Sequence, residues 1–197
     1  LGTIAPVSEG SVFGCVPRFC WQWSTPSSEP QLKKHHEDVC APHILRAISL
    51  AEEAKKGNST ALAPYMATLP AEEDYRRFHP AYFQGDLQLT EEYDVWRRHP
   101  ANWIGQLRAC HAAYSRYVGR DAVSFEEALV GLVRLHTRCF METEMVPLLD
   151  LANTADDIEA FNVETVEPKG RPTRLCFKAM RDIAAGEELL MNYQTDH

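Results

Sequence analysis

The chain has 197 residues, of which 45% are hydrophobic, 10% aromatic and 24% charged, as in a globular protein of one domain or one domain with an insert. That makeup excludes wholesale disorder and a collagen-like or mucin-like chain. Lys and Arg number 20 against 28 Asp and Glu, and the net charge of −8 has the wrong sign for neutralising nucleic-acid phosphates but suits a basic protein partner.

Residues 1–20 read as short strand material, with Val12-Phe13 and Cys15-Val16 set between Gly10, Gly14 and Pro17. Ser24 to Pro30 is polar and Pro-rich, a loop. A helix is expected from Pro42, with Ile44, Leu45, Ile48 and Ala51 on one face. Lys55-Lys56 and Gly57-Asn58 mark its end. Ser59-Thr60 can cap a short successor through Leu62 and Met66. Glu72-Glu73-Asp74, just after Pro70, suits the first turn of another helix, where negative charge favours the dipole. After Thr90 the spacing of Trp96, Trp103, Leu107 and Tyr114 predicts a helical region interrupted near Pro100.

The clearest helix begins at Ser124. Ser124-Phe125-Glu126-Glu127 has capping-box spacing, and Phe125, Leu129, Leu132 and Leu135 or His136 follow at helical period. Beyond Met145 the period changes. Arg174 to Met180 alternates, Glu188 to Tyr193 forms a second run, and Asp182 to Glu187 between them reads as a hairpin connection. Short strands, a helical middle and strands again make an α+β chain. No run approaches the roughly 18 apolar residues of a membrane span.

The six cysteines, Cys15, Cys20, Cys40, Cys110, Cys139 and Cys176, are scattered and form no CxxC pair. Their pattern favours buried free thiols over a disulfide framework. His36, Cys40 and His43 fall at i, i+4 and i+7, but Pro42 breaks a continuous helix there and no fourth ligand is evident, so no metal is expected. His99, His111 and His136 have no Ser or Cys at a triad-like spacing, which leaves a hydrolase without support. Trp21 and Trp23 read as core aromatics, with an exposed docking surface as the alternative.

From Thr137 to Tyr193 the chain resembles the SET-domain methyltransferases. The resemblance is to the branch typified by the plastid Rubisco large-subunit lysine methyltransferase and the actin-histidine methyltransferase. Thr137-Arg138-Cys139-Phe140 matches a helix end of that branch. Met145-Val146-Pro147-Leu148-Leu149-Asp150-Leu151-Ala152-Asn153-Thr154 matches its strand running into Asp-x-x-Asn-His. Gly186-Glu187-Glu188-Leu189-Leu190-Met191-Asn192-Tyr193 matches its closing turn, strand and Tyr. Ala63 to Pro70 is similar to a Tyr-x-x-x-Leu-Pro stretch in the family's helical insert, and Phe13 to Pro17 to a strand of the N-terminal half of its core.

The resemblance implies a SET core in two parts, residues 1–30 and 137–197, around a helical insert over 31–136. It implies S-adenosylmethionine as cofactor and a protein substrate. Tyr193 would stand at the methyl-transfer channel as the catalytic residue. Asn153, Thr154 and Arg138 would bind the cofactor, and Asp150 with Arg138 would line the substrate entrance. A salt bridge between Arg138 and Asp150 is the plain alternative, as an Asx turn is for Asn153.

The chain departs from the family pattern at Thr154, where the family carries His. No N-terminal Gly-x-Gly segment is evident, Leu1-Gly2-Thr3 being at best a remnant. The link from Arg138 to Asp150 is short, and the sequence ends four residues after Tyr193. Two functions therefore stay open: a protein-lysine N-methyltransferase, or a catalytically inactive SET-like domain serving as accessory subunit of a larger protein assembly. The first residue, Leu1 rather than Met, together with likeness to a plastid enzyme, hints at an organelle after removal of a targeting segment.

Overall fold

A computed structural model describes residues 1–20, 29–36, 38–82, 91–119, 122–139, 144–155, 157–168 and 174–193. Trp21, Trp23, Phe140 and most of the expected loop over 24–30 lie outside the described residues, as do the side chains of Trp96 and His99. The chain is α+β and divides into two compact units. One joins residues 1–23 to 144–197, and the other is the continuous stretch 24–143.

The continuous unit is helical. Its helices are α1 (Glu29–His36), α2 (Pro42–Lys55), α3 (Ala63–Met66), α4 (Glu72–Phe78), α5 (Glu91–Val118) and α6 (Phe125–Arg138). α2 starts with Pro at its first position, where a missing amide donor costs nothing. α4 is entered through Asp74, whose carboxylate accepts the Ala71 N–H at 3.1 Å. α6 is entered through the expected box: Glu127 N–H donates to Ser124 Oγ at 3.1 Å, and Ser124 N–H donates to Glu127 at 2.7 Å. These bonds hold the Glu127 carboxyl below the usual carboxylate range. The break anticipated at Pro100 is absent, and α5 runs through it as one helix of 28 residues. Proline removes its own donor and crowds the carbonyl four residues back, a cost of about 3 kcal/mol that this long helix carries.

Leu32 of α1, Ile44, Leu45 and Ile48 of α2, Leu107 and Tyr114 of α5, and Leu129 and Leu132 of α6 form the core of this unit. Each large side chain taken fully from water contributes about 1.5–3 kcal/mol. Helices α2 and α6 cross at one point of very close approach. An ideal Cβ on Gly131 would lie 2.2 Å from the backbone oxygen of Ala47. Beside this crossing, His136 packs against Trp103 with ring centroids 3.8 Å apart, and His43 lies 6.2 Å from it. Burial, with His43 and His79 as further positive neighbours, lowers the His136 pKa to about 4.

The other unit contains a three-stranded antiparallel sheet of β1 (Val12–Pro17), β2 (Val163–Val166) and β3 (Arg174–Ala179), ordered β1-β3-β2. Phe13 pairs with Phe177 and Val16 with Leu175, so Gly14 and Cys15 together oppose Cys176. This is a bulge, and Gly14 takes it with φ +54°, a conformation that favours glycine. On the far side Glu164 pairs with Lys178, their side chains 2.6 Å apart.

Two expectations are corrected here. The run 188–193 does not return on β3 as a hairpin, because both edges of β3 are already taken by β1 and β2. It pairs instead with Gly2, Asn153 and the backbone of Asn162 and Val163. The expectation of free thiols also fails for four of the six cysteines. Cys15 is bonded to Cys176 and Cys40 to Cys110, across 161 and 70 residues of sequence. Sheet register makes the first pair and helix packing the second, and neither is visible in sequence spacing. Cys20 and Cys139 are thiols. The pairing of Cys40, with His36 ending α1 and His43 inside α2, also breaks up the His36–Cys40–His43 spacing.

Gly131→Ala will destabilise the protein by about 1–3 kcal/mol in guanidinium unfolding, although Ala normally gains about 1 kcal/mol over Gly in a helix. The clash is with backbone and no side-chain rotation relieves it. A second prediction concerns acid. The folded pKa of His136 is depressed to about 4 against an ordinary 6.5, so the unfolded state binds the proton first. Its contribution is fully present above pH 6.5 and is lost as the pH falls, reaching about 3 kcal/mol at pH 4. Urea midpoints measured from pH 7 to pH 4 will fall, and the slope will flatten in His136→Gln.

Candidate functional site

The site is assembled in the two-segment unit, around the stretch 147–154 and the run 187–193. After Pro147, Leu148 takes φ +76°, outside the regions that L-residues favour, and turns the chain into a 3-10 turn over Leu149–Leu151. That turn brings Asp150 to a buried position and leaves Asn153 and Thr154 exposed immediately beyond it. Asn153 N–H donates to Leu189 O at 3.3 Å, and Met191 N–H donates to Asn153 O at 2.9 Å. Residues 189–191 and Asn153 thus run side by side in parallel.

Two side-chain bonds shape the surface of this pairing. Asn153 Nδ2 donates to Glu188 Oε1 at 2.6 Å, which fixes the amide and turns its oxygen away from the carboxylate. Tyr193 OH donates to Ala152 O at 2.5 Å, so the phenol lies against the residue just before Asn153 while the ring is 55% exposed. Glu187 closes the preceding turn: Ala184 N–H donates to its carboxylate at 2.8 Å, and Arg181 adds an ion pair at 2.7 Å. The Ala184 bond first, then Arg181 and Asn162, hold the Glu187 carboxyl below its ordinary range.

Beneath lies Asn162, fully buried, whose role its sequence context did not signal. Its Oδ1 accepts from Leu190 N–H at 2.9 Å and its Nδ2 donates to Glu188 O at 2.8 Å. Its backbone N–H donates to Leu190 O at 3.0 Å, and its carbonyl accepts from Met180 N–H at 2.9 Å. The side chain thereby satisfies backbone groups of the run that ends at Tyr193, and the Asn162 carbonyl joins it to the residue following β3. A lone Asn after Phe161 reads as a turn residue, and nothing local distinguishes it.

Of the residues singled out from sequence, Asp150, Asn153, Thr154 and Tyr193 are gathered within this unit. Arg138 is the last residue of α6 and belongs to the helical unit. Leu1-Gly2-Thr3 lies alongside the closing turn: Leu189 N–H donates to Leu1 O at 2.8 Å and Gly186 N–H to Thr3 O at 2.7 Å.

The donor set suits a cationic ligand. The Asn153 amide oxygen and the Glu188 carboxylate offer acceptors on one exposed face, and the Tyr193 ring stands beside them. S-adenosylmethionine, with its sulfonium and ammonium groups, has the charge these groups would attract. Among the described residues no group of His, Cys, Asp or Glu could hold a metal ion. No helix among them is long and apolar enough to cross a membrane.

A family model described as SET domain matches residues 30–194. No curated protein matches the chain.

Asn162→Ala will leave Leu190 N–H and Glu188 C=O without their buried partner, at a cost of about 2–4 kcal/mol. Thermal unfolding checks the stability. Amide exchange should quicken most at residues 188–191, and an unchanged midpoint would contradict the role given to this side chain.

Proposed function

Because the chain belongs to the SET-domain family, we propose that it is a protein N-methyltransferase that uses S-adenosylmethionine and acts on lysine. The observation that carries this reading is the joint placement of Asn153 and Tyr193, one holding its amide on Glu188 and the other laying its hydroxyl on Ala152 O. The Asp150-to-Asn153 spacing and the Gly186-Glu187-Glu188 turn support the branch that includes the plastid Rubisco large-subunit lysine methyltransferase and the actin-histidine methyltransferase.

When bound, the cofactor supplies an electrophilic methyl group on a positively charged sulfur. The residues of the chain have positioning and electrostatic work to do. Methyl transfer needs the nucleophile in line with the breaking bond, so most of the rate comes from orientation. The amide oxygen of Asn153, directed by Glu188, accepts from an ammonium group. Thr154, exposed immediately after Asn153, adds its hydroxyl to cofactor binding. The Tyr193 hydroxyl orients the substrate amine, which reacts after losing its proton to solvent. The protein's net charge of −8 favours approach of a basic substrate segment.

A second reading, a SET-like domain that serves as a docking subunit without catalysis, is favoured by Thr154, which stands where the family has His. Calorimetric titration separates the two. Purified protein should bind S-adenosylmethionine and S-adenosylhomocysteine with micromolar affinity. Asn153→Ala should weaken binding about 10-fold or more, equivalent to about 1.4 kcal/mol per factor of ten. Glu188→Ala should weaken it less, and Tyr193→Phe should leave cofactor binding intact while removing methyl transfer. Absence of heat and of thermal stabilisation at ~1 mM ligand would overturn the enzyme reading and leave the docking subunit.

A further inference from the structure

The two disulfides differ in placement. Cys40 and Cys110 are both buried inside the helical core, 3% and 0% exposed. Cys15 is exposed on β1, at the bulge where Gly14 and Cys15 oppose one residue of β3, whereas its partner Cys176 is fully buried. At the bulge the β1–β3 register shifts between Phe13 and Val16, so the disulfide supplies a link where ladder pairing is broken. It also fastens an arm. Residues 1–11 run along 179–189 through Val7 with Ile183, Gly10 with Ala179, and Thr3 with Gly186 and Glu187. The last bonds of that arm, Leu1 O with Leu189 N–H and Gly2 opposite Glu188, reach the run that carries Tyr193.

We propose that Cys15–Cys176 is a thiol–disulfide switch, opened by a dithiol reductant, that sets how firmly residues 1–16 hold the segment 179–189, while Cys40–Cys110 is a structural bond. The inference stands whether or not the chain transfers methyl groups. The reductant thiolate attacks the sulfur of Cys15, the exposed residue of the pair, the bond to Cys176 breaks, and Cys176 leaves as thiolate and takes up a proton. The second thiol of the reductant then displaces Cys15 from the mixed disulfide. In balance, one protein disulfide and one dithiol give two protein thiols and one reductant disulfide. The core pair is shielded from that attack by the side chains around it. Opening a link across 161 residues also frees more of the unfolded chain than opening one across 70, so its loss costs the fold more global stability.

The test is differential alkylation of the native protein in dithiothreitol buffers of graded redox ratio, with acid quench and peptide mass spectrometry. Cys15 and Cys176 should become labelled together under conditions that leave Cys40 and Cys110 protected. Amide hydrogen exchange at Val7, Ile183, Gly186 and Leu189 should rise about 10-fold or more on reduction, and fall again on reoxidation. The Cys15→Ala protein should exchange as the reduced wild type does, whatever the reductant. Opening of the core pair first would overturn the proposal. So would reduction with no change in exchange, or recovery of Cys15 and Cys176 as thiols that mild oxidation does not join.

Discussion

The antiparallel pairing of β1 with β3 joins two parts of the chain separated by the whole helical unit, and the remaining features of the smaller unit depend on it. Without β1, one edge of β3 is open and Cys176 has no partner. The arm over residues 1–11 continues β1 along 179–189, so it has its place only once the strand is seated. From that arm the order passes to the closing run, which Asn162 holds from below and Asn153 from the side. The candidate site thus sits at the far end of a chain of backbone pairings that starts with a non-local contact. Asn153, Thr154 and Tyr193 are exposed there, and what positions them is the hydrogen-bonded backbone beneath.

The helical unit is held in another way. Its contacts are those of amphipathic helices at the 3.6-residue period, and its tightest constraint is the absence of a side chain at Gly131. A residue that contributes nothing to hydrophobic burial lets α2 and α6 approach closely enough for Ile44, Ile48, Leu129 and Leu132 to bury one another. Histidines 43, 79 and 136 lie within this unit, each with its pKa lowered first by burial. They serve as neutral packing groups above their ordinary titration range.

What could be read from the sequence follows from how local each signal is. α2 and α6 were legible because their starts, stripes and ends lie within about fifteen residues: Pro42 and Lys55, or Ser124 with Glu127. β1 was legible as short strand material between Gly10 and Pro17, and β3 as an alternating run. Continuity of α5 through Pro100 was not, since the local rule for proline says nothing of how much helix lies on either side. The partner of 188–193 was misread because adjacency in sequence suggested a hairpin, while the edges of β3 were taken by distant strands. At the site, Asn153 and Tyr193 stood out through their motifs, and the structure brings them together with Asp150 and Thr154. Asn162 escaped because buried satisfaction of backbone groups leaves no pattern along the chain, and the bond from Asn153 Nδ2 to Glu188 escaped because it joins residues 35 positions apart.

The same non-local pairing has a consequence for synthesis. β1 is made before the whole helical unit, and the strand it must pair with is encoded about 160 positions later. At about 5–20 residues per second that separation is a wait of roughly 10–30 s. Helices α1 to α6 are complete well before then, and they can fold while β1 stands as an unpaired edge with Cys15 reduced. The nascent chain therefore carries a folded helical unit and an unsatisfied strand at the same time. Its hazard is premature pairing of that strand with another chain, and the charged and proline-bearing residues beside it, Glu9, Pro17 and Arg18, lessen that risk.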